Sequence, residues 1–243
     1  MEKRIVVGHR GEIGSAIFKI FKGTLGIEEN IFLSTDGNEA KEADRTVMHV
    51  CIPYTDKFID TVVDYVIQYA PDIIIIHTTC AIGTTRKLYA IFCDADMKIK
   101  RCTVVHASVN CRHPNTEADI RKYDMFVGAL NEKEGNEACD YIERFGVITY
   151  LCDTPESSEF NKIAGTEYCK TMVKFFGTLK ELADGDAKLN WKESIAYFEN
   201  LMSKSDGWKR VYRRGNRIDT PISGKHCLNS NNRLWRKYIT GEK

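Results

Sequence analysis

No run of about 18 or more apolar residues occurs in the chain, so nothing in it reads as a bilayer-spanning helix. An excess of one charge is lacking too. Lys and Arg number 35 against 34 Asp and Glu, a formal net charge of +1. That balance gives no global attraction to nucleic acid or to a membrane surface, and neither partner is expected. A strand-like run begins almost at the N-terminus, which leaves no room for a signal peptide; the expected compartment is the cytoplasm. Internal repeats and low-complexity segments are absent. The nine cysteines are odd in number and scattered. Without a secretion signal they read as reduced thiols, mostly small core residues. What remains is a chain of 243 residues, long enough for one large or two modest domains with a real core.

The stretch that organises this chain is Lys3 to Phe21. Ile5, Val6 and Val7 form a short β-branched run of the buried-strand type. Glycines follow at Gly8, Gly11 and Gly14, and then Ile13, Ala16, Ile17, Ile20 and Phe21 recur at helical spacing. Strand, glycine turn and helix together suit a dinucleotide. The glycines let the backbone approach a pyrophosphate, and the helix offers it unpaired N–H groups and a positive dipole end. In a G-x-G-x-x-G register His9 takes the first glycine's place. The competing reading is an ordinary turn that binds nothing.

Ile31 to Leu33 reads as the second strand, ending near Asp36. Asp36 lies about twenty residues past the glycines, where a carboxylate can accept from a ribose 2′-hydroxyl; otherwise it is a turn residue before Gly37. Arg10, Ser34 and Thr35 would instead tolerate a 2′-phosphate, so the reading leans to NAD with NADP as the alternative. Val47 to Ile52 is a strand that stops at Pro53, and Asp56 to Tyr69 has helical periodicity. Ile73 to Ile76 is the continuous apolar run of a central parallel strand. It leads into a stretch rich in small hydroxyl residues, His77 to Thr85, where α/β sheets bind ligands. Strands follow at Thr103–His106, Met125–Gly128 and Val147–Leu151, with a helix from about Glu132 to Phe145. This alternation predicts a Rossmann-like, doubly wound parallel sheet of the α/β class over residues 1–153. A smaller helical domain is expected over 154–243, with one long helix from Pro155 to Leu182 and a shorter one from Trp191 to Met202. The tail from Ser203 is basic, with Arg213, Arg214, Arg217 and Arg233. It is a solvated surface or a grip on an anionic substrate.

Three groups of residues carry chemistry. His106, Cys111 and His113 fall within eight residues but lack a matched fourth ligand, so no metal is expected. Glu159, Lys162 and Thr166 share one helix face, where a lysine near a cleft can shuttle a proton; the bland reading is a surface ion pair. Lys225, His226 and Cys227 place a thiol beside two basic groups, a candidate low-pKa nucleophile or a chance loop cysteine.

Taken in order, these segments resemble the UDP-glucose and UDP-N-acetylmannosamine dehydrogenases of the 6-phosphogluconate dehydrogenase superfamily. Thr79 to Arg86 is similar to the family's S-T-V-x-x-G-T-T segment against the nicotinamide. Ser158 to Lys162 is similar to its E-L-x-K helix start, and Ser223 to Leu228 to its G-G-H-C segment. The resemblance implies Lys162 as the catalytic lysine and Cys227 as the nucleophile that traps an aldehyde as a thiohemiacetal. A second hydride transfer then gives a thioester, which water releases as the acid. The departures are Thr166 for the family's asparagine, Asn231 for its aspartate, and no match to the family's C-terminal UDP-binding domain.

The expectation is an NAD(P)-dependent oxidoreductase that oxidises an alcohol or sugar-like substrate by hydride transfer, and a homodimer along the long helix. Its expected catalytic residues are Lys162, Cys227, Thr79 and Glu159. Its expected cofactor contacts are Gly8, His9, Arg10, Gly11, Glu12, Ile13 and Gly14, with Asp36, Pro53 and Thr79. The alternatives are a dinucleotide-binding sensor or scaffold without turnover, and group transfer on a Rossmann-like sheet.

Overall fold

A computed structural model describes residues 2–22, 25–28, 31–34, 44–93, 101–112, 114–203 and 235. Asp36, His113, Cys227 and Asn231 lie outside the described residues. The chain divides into two compact units, residues 1–167 and 168–243.

The first unit is a Rossmann-like α/β sheet. Its strands are β1 (Glu2–Val7), β2 (Leu25–Glu28), β3 (Ile31–Ser34), β4 (Arg45–Val50), β5 (Ile73–Ile76), β6 (Thr103–His106), β7 (Met125–Gly128) and β8 (Thr149–Cys152). They lie in the order β3-β2-β1-β4-β5-β6-β7-β8. Strands β2, β1, β4, β5 and β6 are parallel. The sheet reverses at both flanks: β3 runs antiparallel to β2, and β7 antiparallel to β6, with β8 parallel to β7. Periodicity reports a strand's burial and not its direction, so the expected all-parallel pattern holds only for the centre.

Helices α1 (Glu12–Ile20), α4 (Thr116–Lys122) and α5 (Glu132–Glu143) lie on one side of the sheet, and α2 (Phe58–Tyr69) and α3 (Thr84–Cys93) on the other. Strand β5 shows why. Ile73 and Ile75 join the core beneath α1 and α5, while Ile74 and Ile76 join the core beneath α2 and α3. All four are buried, so the run must be apolar on both faces. Helix α4 has no counterpart in the sequence pattern. With seven residues and few apolar positions, it has little periodicity to detect.

Helix α6 (Pro155–Gly185) starts in the first unit and runs on into the second. In the second unit α7 (Trp191–Ser203) carries Phe198, which meets Phe175 and Phe176 edge-on with ring centroids 5.6 and 5.2 Å apart. Such pairs contribute about 1 kcal/mol each beyond their buried area. No helix among the described residues is long and apolar enough to cross a membrane.

Candidate active site

The glycine turn shows why its residues have no side chains. Gly8 has φ +81°, and a Cβ there would stand 2.6 Å from the carbonyl oxygen of Cys51. Gly8 is therefore the turn glycine, and the spacing is Gly8-x-x-Gly11-x-x-Gly14. The His9 ring packs on Phe18, with centroids 5.8 Å apart. A Cβ on Gly11 would meet only the Gly8 carbonyl oxygen, at 3.3 Å. Gly11 caps α1 without any side-chain hydrogen bond, so no N-cap side chain covers the start of the helix.

This helix start adjoins a cleft of about 480 Å³. One wall is Gly11, Glu12 and Ile13; another is the chain after β4, Cys51 to Tyr54. The floor is His77, Thr78 and Thr79, and the far side is Val109, Cys111 and Lys162. Thr79 is exposed there, and Thr78 donates its hydroxyl to the Ile52 carbonyl at 2.7 Å. Glu12 accepts from the Thr116 hydroxyl at 2.6 Å, which ties α1 to α4. Arg10 is exposed beside the turn, and Pro53 stands on the rim. A more open groove of about 590 Å³ is lined by Tyr54, Thr55, Asp56 and Lys87 with Ile59, Ala90 and Ile91, and lies away from the glycine turn and Lys162.

Lys162 reaches the cleft from the second turn of α6. Its Nζ donates to the Val109 carbonyl at 2.8 Å and to Asn110 Oδ1 at 3.4 Å. Glu159, one turn earlier, is only 1% exposed and turns away from the cleft. Its carboxylate accepts from Gly83 N at 2.5 Å, from Thr85 N at 2.8 Å and from the Thr85 hydroxyl at 2.7 Å. It therefore serves the start of α3, where a helix dipole favours a negative charge. Outside it, Arg86 grips Glu156 with two nitrogens. Thr166 spends its hydroxyl on the Lys162 carbonyl, 2.9 Å away.

Of the residues considered for a metal, His106 and Cys111 are described. His106 is buried against Ser158, with Nδ1 2.8 Å from Oγ, and burial lowers its pKa to about 4. Cys111 lines the cleft, and burial raises its thiol pKa. Among the described residues no group of three or more His, Cys, Asp or Glu is placed to hold a metal ion.

Strand β3 turns back, and its Ser34 is registered with Leu25 at the start of β2. The strand beside β1 is instead β2, where Ile27 pairs with Val7. Glu28 ends β2, twenty residues past Gly8 in the chain. The weak strand signal of Leu25-Gly26-Ile27-Glu28 hid it.

No protein-family model matches the chain, and no curated protein does. Solved structures do. A ternary complex of GDP-mannose dehydrogenase from Pseudomonas aeruginosa superposes with a TM-score of 0.72 over 99% of this chain and 65% of that one, at 13% identity. The likeness is one of fold, a Rossmann-like α/β sheet. UDP-D-ManNAc dehydrogenase from Pyrococcus horikoshii is similar over 91% of this chain and 59% of its own, with a TM-score of 0.58 at 13% identity. A reductive aminase from Aspergillus terreus in complex with NADPH and ethyl levulinate also has a TM-score of 0.58, at 12% identity, covering 89% of this chain and 77% of that one. The chain spans less than two thirds of the length of the two sugar-nucleotide dehydrogenases.

Proposed function

We propose that this protein is a nicotinamide-dinucleotide-dependent oxidoreductase acting on an alcohol or sugar-like substrate. One observation carries the reading: the start of α1, the floor threonine Thr79 and the amine of Lys162 border a single cleft. Gly11 leaves room for a pyrophosphate, and the first N–H groups of α1 suit its charge. His9, Arg10, Glu12, Ile13 and Gly14 complete this turn, and Pro53 borders the adenosine side. The ribose role falls to a carboxylate past the glycines, Asp36 by its distance along the chain or Glu28 by its place in the strand that pairs with β1. A carboxylate there accepts from a 2′-hydroxyl and repels a 2′-phosphate, which favours NAD over NADP.

When bound, the nicotinamide supplies the hydride acceptor. The chain's own residues do the rest, which is mostly positioning. Thr79 holds the substrate oxygen or the ring edge at the floor. Lys162 faces the carbinol oxygen and manages its proton. Glu159 acts by fixing α6 against the start of α3, so that Lys162 one turn later meets the cleft. Cys227 remains the candidate nucleophile for a second oxidation to the acid. Phe160 and Ile163 stand exposed on α6, which suits a homodimer.

Thr166 favours a second reading, a dinucleotide-binding sensor without turnover, because its hydroxyl is spent on the helix backbone. A thermal-shift panel with NAD, NADP, nucleotide sugars and S-adenosylmethionine separates these readings, with fluorescence titration of NADH and NADPH beside it. A dinucleotide response alone, with no oxidation of any panel alcohol, favours the sensor. No response to either dinucleotide removes the oxidoreductase reading.

A further inference from the structure

Three histidines sit on neighbouring strands: His49 in β4, His77 just past β5 and His106 in β6. His49 is 0% and His77 is 3% exposed. With Tyr141 of α5 the first two form a row. Tyr141 Oη is 2.8 Å from His49 Nε2, His49 Nδ1 is 2.9 Å from His77 Nε2, and His77 Nδ1 is 2.7 Å from the Ala107 carbonyl. The two imidazoles stack within 7° of parallel, and Phe21 packs on them.

One proton arrangement satisfies the row. A carbonyl can only accept, so His77 Nδ1 carries its hydrogen. His77 Nε2 then accepts, so His49 Nδ1 carries the next. His49 Nε2 accepts in turn, and the Tyr141 hydroxyl donates. Both rings are neutral. Burial holds both below the ordinary imidazole pKa, and neighbouring charges act the same way: His77 and Arg4 on His49, and His106 on His77. The row is no proton relay, because it ends on a carbonyl that takes no proton.

Its end point matters to the cleft. At Ala107 the chain leaves β6 and becomes the cleft's far wall. The Ala107 N–H is fixed to the Ile76 carbonyl at 2.8 Å, and its own carbonyl is fixed by His77. Two residues on, the Val109 carbonyl and then Asn110 Oδ1 accept from Lys162.

We propose that His77, held by His49 and Tyr141, is a positioning residue for Lys162, fixing the Ala107–Asn110 wall whose oxygens hold the lysine amine. This rests on the reading of the cleft as a site of hydride transfer. Burying three polar side chains in an apolar core is costly. An apolar set of the same shape would fill the space more cheaply. What the polar row adds is a single hydrogen-bond pattern, and with it a single position for the wall.

The test is pulse acetylation with acetic anhydride over a pH series, read at each lysine by mass spectrometry. It needs no cofactor or substrate, so a failed NADH titration bears on the functional reading alone. Lys192, exposed on α7, is the internal reference. In His77→Leu the wall loosens and the amine loses its fixed acceptors. Lys162 then acetylates up to about tenfold faster relative to Lys192, and its pH profile moves to lower pH. Tyr141→Phe strips His49 Nε2 of its donor and gives a smaller change of the same sign. In His77→Gln the amide N–H can face Ala107 and the amide oxygen can accept from His49, so the wild-type profile returns. Ile74→Ala, in the opposite core layer, controls for general loosening and leaves Lys162 unchanged. A Lys162 profile in His77→Leu that matches wild type, or that moves no more than in Ile74→Ala, overturns the proposal. If His77→Leu does not fold, Tyr141→Phe decides, and an unchanged profile there overturns it equally.

Discussion

A Cβ placed on Gly14 would lie 1.9 Å from the carbonyl oxygen of Gly8. The first turn of α1 is thus pressed onto the end of β1, with nothing but hydrogen between them. The contact is backbone to backbone, so no rotamer change relieves it. Gly14 belongs to the fold, whereas a Cβ on Gly11, with φ −64°, would meet only the Gly8 carbonyl oxygen, at 3.3 Å.

The two glycines should therefore respond differently. Gly14→Ala should cost about 3 kcal/mol or more by overpacking. Gly11→Leu should cost much less than that and abolish the NADH fluorescence response. Loss of stability in Gly11→Leu comparable to that in Gly14→Ala would mean that Gly11 is structural as well.

Lys162→Ala should keep NADH affinity close to wild type and lower turnover by about 100-fold or more, as for a group used in the transition state. The measurement pairs NADH titration with oxidation of whichever alcohol or sugar nucleotide the thermal-shift panel returns. Equal loss of binding and turnover would make Lys162 a ligand contact only.

Acid should destabilise the fold before carboxylates are fully protonated. His77 and His106 have pKa values near 4 in the folded chain, and His49 is also held well below the ordinary value of 6.5. The unfolded chain therefore binds more protons than the folded one between about pH 6.5 and 4, and stability falls as pH drops through that window. The expected loss is on the order of a few kcal/mol, followed by urea melts at pH 7, 5.5 and 4.5. His77→Gln removes one titrating ring and should flatten the curve; an unchanged slope would place the acid sensitivity elsewhere.

Glu159→Gln should destabilise by about 2 kcal/mol, because an amide nitrogen would face one of the N–H groups that the carboxylate now accepts. Turnover should fall as well, with KM less affected than kcat if α6 shifts Lys162. A variant with wild-type stability would show that the start of α3 is held by other means.

Iodoacetamide labelling addresses Cys227. Burial raises the thiols of Cys51, Cys80, Cys111, Cys139 and Cys152, with Cys80 pushed up to about 12. Exposed Cys93 and Cys169 set the background rate. A placed nucleophile at Cys227 should label faster than both and be slowed by NAD. Labelling no faster than Cys93 would end the covalent mechanism.

Local pattern made much of this protein legible. The run Ile73–Ile76 announces a strand covered on both faces, and the glycines between an apolar run and an amphipathic segment announce a strand, turn and helix. The long helix from Pro155 shows in its periodicity, and Lys162 stands out on its face. Each of these signals is written within a few residues, because burial and backbone conformation there depend on near neighbours. Strand direction is not so written. The reversal of β3, which leaves β2 as the strand beside β1, depends on how the whole sheet is laid out. Glu159 and Lys162 share a helix face in the sequence, yet only the packing of α6 on α3 and on the Val109 wall sends one to a helix start and the other to the cleft. The histidine row is the extreme case. His49 meets His77 across 28 positions and Tyr141 across 92. No local propensity encodes those distances; they exist only once the sheet is laid out and α5 is packed over it.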